Sequence, residues 1–171
     1  MSAAIDLLRD AFARVHENVH AVLDDSTPEQ LGFRADAQAN SPAWLIWHLT
    51  RVEDNHIADA FGSDEVWLTD GYEESWGLDL DPMDTGYGHT SEQVGAVRVS
   101  NPQQLLDYFD VVHALVGRLI AELDAEDLQR VVDDAWDPPV TLLVRLVSVV
   151  DDAVQHAGQA AYARGMILSA R

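Results

Sequence analysis

Apolar positions recur every three to four residues in four long stretches, and each stretch is bounded by residues that start or stop helices. From about Ala4 to Asp24, Ile5, Leu8, Phe12, Val15, Val19 and Val22 trace one face of a helix. Asp24, Asp25, Ser26 and Pro28 end it, and residues 29–40 are polar and irregular. Ser41 is a good N-cap and Pro42 suits the first helical position, so a second helix is predicted from Ser41 to about Phe61. Gly62 stops it, and Leu45, Leu49, Val52 and His56 form its stripe. Asn101 and Pro102 repeat the cap-then-proline signal for a third helix, which carries Leu105, Leu106, Phe109, Val112, Leu115, Val116 and Leu119 to about Leu123. After a turning segment at 124–140, a fourth helix is predicted from Val140 or Thr141 to about Arg164, with Gly165 beyond it. That last stretch is apolar almost all round, which predicts burial on most sides.

Residues 62–100 show no regular period. They are rich in glycine and also hold Trp67, Tyr72, Trp76 and Tyr87. A connection this long inside a compact domain is expected to be ordered and functional. Its aromatics would pin it to the body, and a short helix is predicted near Ser91–Val97. "VRVS", from Val97, is too short to build a sheet on. Four long helices with two long connections make an all-α chain folded as a four-helix bundle, one domain over 1–171.

Composition narrows the chemistry. The 171 residues include no cysteine, which excludes disulfides, thiolate metal sites and a cysteine nucleophile. The net charge is −20, from 30 acidic and 10 basic residues, all of the latter arginine. That balance argues against nucleic acid and anionic membranes, which call for clustered cations. No signal peptide and no apolar run of membrane-spanning length is present, so a cytoplasmic location is expected. There is no phosphate-binding glycine loop, no G-x-S-x-G elbow and no H-E-x-x-H.

The predicted fourth helix carries the chemical signal. At about 100° per residue, Arg145, Asp152, His156 and Gln159 fall in one narrow sector of an otherwise apolar rod. Asp152 and His156 are one turn apart and can reach one point, as two ligands of a divalent ion do. They could equally be a solvent edge, with Asp152 in an ion pair. His48 is the candidate third ligand: it lies mid-helix, one step off the apolar stripe, with Trp44 and Trp47 beside it. Three nitrogen and oxygen ligands with open positions describe a catalytic site rather than a closed structural one. His56 lies eight residues past His48, about 12 Å along the axis, and is expected to line the pocket as neighbour or base at most. His113 is a spare ligand candidate, Asp151 a weaker alternative to Asp152, and His16, His20 and His89 show no partner pattern. Arg51 and Arg145 are candidates for gripping the carboxylate of a bound cofactor or substrate.

At "SPAWLIWHLTRVEDNHI", "DTGYGHTSEQVGAVR" and "DDAVQHAGQAAYARGM", the chain resembles the DinB-like superfamily. That group includes the N-terminal domain of mycothiol-dependent maleylpyruvate isomerases and related actinobacterial thiol S-transferases. The resemblance spans nearly the whole chain. It implies an up-down-down-up four-helix bundle holding one divalent metal, bound by a histidine of the second helix and an H-x3-H pair of the fourth. By position His48 and His156 match the outer ligands. Asp152 stands at the middle one, where the isomerase branch also carries a carboxylate. Zinc is the default ion, with nickel an alternative. The activity implied is transfer or isomerisation with a low-molecular-weight thiol, the metal lowering the thiol pKa, on a small electrophile. A homodimer is a form such bundles often take. A non-catalytic metal- or ligand-binding stress protein and a bundle whose metal site has decayed are the alternatives.

Overall fold

In the computed structural model, residues 2–169 are described. Each long helix starts on a capping side chain. Ser2 caps α1 (Ala3–Leu23), a Thr27–Gln30 capping box opens the short α2 (Pro28–Leu31), and Ser41 caps α3 (Pro42–Phe61). Gly62 ends α3 in the left-handed conformation at φ 65°. The connection that follows carries three short helices, α4 (Val66–Thr69), α5 (Tyr72–Trp76) and α6 (Ser91–Ala96). Asn101 then caps α7 (Pro102–Glu122). A two-stranded antiparallel ribbon, β1 (Val131–Asp133) with β2 (Val140–Thr141), turns the chain into α8 (Leu142–Ser169). The chain is therefore mostly helical with one small sheet, in a segment the apolar period did not mark.

Two expectations are revised. The last helix does not stop at Arg164; it runs through Gly165 to Ser169. One glycine costs a helix only about 1 kcal/mol, too little to end it without a following stop signal. The roles of the two site-bearing helices are also reversed. α8 buries a single stripe, Leu142, Leu146, Val149, Ala153, Ala157 and Ala160, and leaves Val144, Val147 and Val154 in solvent. α3 is instead buried along its whole first half, Pro42 to Arg51. The reason is packing: α3 contacts α8 and α7, and α1 contacts the same two helices, so the four long helices close a ring. The 62–100 connection then covers α3 from outside.

Buried polar groups staple that connection down. Asp54 accepts hydrogen bonds from the Val66 and Trp67 backbone amides at 2.9 and 2.8 Å, and from the Tyr108 hydroxyl at 2.8 Å. Arg51 donates to Glu65 at 2.6 Å and to the Asp84 carbonyl, and its guanidinium lies over the Trp67 ring. Trp67 packs edge-on against Trp47 and Trp76, and tilted against Tyr108. The connection is thereby fastened to the middle of α3.

Candidate metal centre

His48, Asp152 and His156 come together where α3 meets α8. One ligand atom from each lies within 4.8 Å of the others. His48 is buried, its ring stacked on Trp44 at 4.6 Å and edge-on to His156 at 4.7 Å. Its Nδ1 donates to the Thr85 carbonyl, which leaves the Nε2 lone pair for the interior of the cluster. His156 is held the same way: Nδ1 donates to the Gln159 side-chain oxygen at 3.0 Å, and Nε2 lies 3.4 Å from Asp152 Oδ1. Fixing one ring nitrogen on an oxygen acceptor is how proteins orient a metal-binding imidazole. Burial pushes the His48 pKa down, favouring the neutral ligand form. The hydrogen bond to Asp152 holds that of His156 up.

The donor set suits a divalent cation. Asp152 Oδ2 is buried with no hydrogen-bond partner. A buried carboxylate oxygen without a partner is costly, and a cation among these three donors would satisfy it. Two imidazoles and a carboxylate match the borderline first-row ions and suit magnesium or calcium poorly.

The 62–100 connection closes over this cluster at Gly86. Its φ is 95°, and a Cβ there would fall 2.8 Å from His48 Nδ1 and 3.1 Å from both Trp44 and Trp47. Only glycine lets the backbone come down onto the ring. Asp84 and His89 fix this turn. Asp84 accepts from the Gly86 amide and pairs with His89 Nε2 at 2.8 Å, and His89 Nδ1 accepts from the Trp44 indole at 3.0 Å. His89 had no partner pattern in the sequence because its partners are 5 and 45 residues away. The short D-x-G spacing of Asp84 and Gly86 was the one local signal.

Beside the cluster opens a cavity of about 500 Å3, bordered by His48, Asp152, His56 and Thr85, with Tyr87 and Trp136 at its edge. Tyr87 is 93% and Trp136 66% exposed. A larger depression of about 670 Å3 lies at the end of α8, on Tyr162 and Met166, and has none of this chemistry. His56 Nδ1 accepts from Arg145 at 2.7 Å, since a guanidinium can only donate. The neutral ring then carries its proton on Nε2. Burial, followed by the Arg145 charge, pushes the His56 pKa down. His56 thus lines the cavity as a neighbour of the cluster, as expected from its spacing.

Both candidate arginines stand in ion pairs. Arg51 is 0% exposed, and its charge is answered inside the core by Glu65 and Asp54. It holds the connection in place and does not border the cavity. Arg145 stands behind His56, tied to Asp133 at 2.9 Å. Each has an acidic partner beyond the reach of helical spacing, Glu65 for Arg51 and Asp133 for Arg145, which periodicity does not reveal.

A family model for mycothiol-S-transferases matches residues 7–168. The chain belongs to the mycothiol-S-transferase family. This is a DinB-like family, in agreement with the resemblance carried by the three sequence stretches. Among solved structures, the chain is similar to the conserved protein of locus from Enterococcus faecalis, at 34% identity over 99% of both chains and a TM-score of 0.91. No curated protein matches the chain. Within this mycothiol-S-transferase family member, no helix among the described residues is long and apolar enough to cross a membrane.

Proposed function

We propose that this chain is a divalent-metal-dependent S-transferase or isomerase using a low-molecular-weight thiol of the mycothiol type. It would act as one domain, an up-down-down-up four-helix bundle with an added covering connection. The observation that carries the reading is the convergence of His48, Asp152 and His156 beside an open cavity, with Asp152 Oδ2 lacking a protein partner. His48, Asp152 and His156 would hold zinc, or nickel in its place. The bound ion supplies a Lewis acid that lowers the pKa of a thiol sulfur.

The chain's own residues do the rest. Thr85 and Gln159 hold the two imidazoles in the ligating tautomer. His56, kept neutral and pinned by Arg145, offers an Nε2–H to an electrophile oxygen. Arg145 adds positive charge behind it, the remaining candidate for attracting a carboxylate. Tyr87 and Trp136 give the cavity edge flat apolar faces, which suits a small aromatic or conjugated electrophile. A reduced thiol is kept available in the cytoplasm, the compartment expected from the sequence.

The test is thiol conjugation by zinc- or nickel-loaded protein across a panel of thiols and electrophiles, wild type against His48→Ala. Loss of an outer-shell partner costs a metal site about 10- to 100-fold, so loss of a ligand should lower kcat/KM by more than about 100-fold. Equal activity of the two proteins sinks the reading.

A further inference from the structure

Across the helix ring from this centre, α1 and α7 bring a second set of nitrogen and oxygen donors together. His16 and His20, one turn apart on α1, place their Nε2 atoms 3.2 and 2.7 Å from the same oxygen, Oδ1 of Asp110 on α7. The two rings lie 4.1 Å apart, and ligand atoms of all three residues fall within 4.8 Å of one another. All three are half-buried and can exchange with solvent. Two imidazoles crowded onto one carboxylate oxygen need a proton on each Nε2, or a cation in place of those protons.

A separate observation favours the cation. Inward of His16, the His113 ring lies 4.7 Å away, and its Nδ1 faces Glu53 of α3 at 3.9 Å without a hydrogen bond. Glu53 is 0% exposed, and neither of its oxygens has a partner. Unpartnered buried polar groups reached through His113, whose ring touches His16, call for a partner other than a side chain, namely a water or a cation. Glu53 lies five residues past His48, about 140° round α3, so it faces away from the first centre.

We propose that His16, His20 and Asp110 bind a second divalent cation of the zinc or nickel class, tying α1 to α7. Two imidazoles and a carboxylate are borderline donors, and three of them leave positions open to water. The net charge of −20 concentrates cations at the surface.

The experiment loads the full chain with zinc, dialyses it against metal-free buffer and counts retained equivalents by elemental analysis. Wild type should keep two, His16→Gln/His20→Gln one, and His48→Ala one. If the double variant keeps as much zinc as wild type, the second site does not exist. A single wild-type equivalent that only His48→Ala removes also overturns it, and leaves the first centre standing. A single equivalent that only the double variant removes supports the second site and sinks the first. Should the double variant fail to fold by circular dichroism, the imidazole 15N resonances of wild type give the same answer. His16 and His20 signals must shift on zinc addition; if they do not move, the proposal falls.

Discussion

At the scale of single residues, Gly86 and Glu53 carry the most consequence for their size. Gly86 combines a left-handed φ of 95° with a position where a Cβ would fall 2.8 Å from His48 Nδ1, so Gly86→Ala must either strain the backbone or lift the turn off the ring. We expect a loss of about 1–3 kcal/mol in urea unfolding and weaker zinc binding, because the Thr85 carbonyl would no longer orient His48. Unchanged zinc affinity in a folded Gly86→Ala protein would show that the turn does not position the ligand. Glu53 makes a pH statement. Its folded pKa is raised to about 8 from an ordinary 4.5, so between those values the folded state binds more protons than the unfolded state. Stability attributable to it is therefore full below about pH 4.5 and is lost as pH rises towards 8. In metal-free buffer, wild type should lose on the order of 1 kcal/mol per pH unit relative to Glu53→Gln over that window. Parallel stability curves for the two proteins would contradict the assignment.

At the scale of elements, the connection between α3 and α7 is held by charge pairs where an amphipathic element would use an apolar stripe. α4 spans only four residues and α5 five, too short to be stable alone. Arg51, Asp54 and Glu65 fasten them, all buried, with Tyr108 closing the group from α7. Removing one partner of a buried pair leaves the other charge uncompensated, so Glu65→Ala should destabilise the fold by about 3–5 kcal/mol. Hydrogen exchange should show the loss first at Val66 and Trp67, whose amides rest on Asp54, before the amides of α1. Uniform exchange across the chain would mean that the connection unfolds with the body and is not a separable cover. The long helices were readable because each carries its own cap and stripe. Of the short helices, only α6 was anticipated, near Ser91–Val97; α2, α4, α5 and the β1–β2 ribbon were not, since their stability comes from contacts with partners distant in sequence. The central position of α3 was hidden for the same reason: residues such as Arg51 and Asp54 read as surface until Glu65 and Tyr108 are placed beside them.

At the scale of the whole molecule, the two donor clusters sit on opposite edges of the helix ring, one joining α3 to α8 and the other α1 to α7. A cation that binds only the folded state stabilises by mass action, about 2.7 kcal/mol at a free concentration 100 times Kd. Chelator treatment should therefore lower Tm, and zinc should restore it in wild type but less in His48→Ala. An unchanged Tm after complete metal removal would deny both clusters a part in holding the helices. By itself, the sequence determined the mostly helical character, the start of every long helix and the facing of Asp152 and His156, because capping and the 3.6-residue period act within a turn or two. It also singled out His48, a titratable ring set among tryptophans. Only the tertiary structure decided that His48 lies against that pair, that Thr85 and Gly86 orient it, that Arg51 serves the core, and that His16 and His20 meet Asp110 about ninety residues on. Those contacts arise where helices cross, and crossing is set by burial of whole faces rather than by any local spacing.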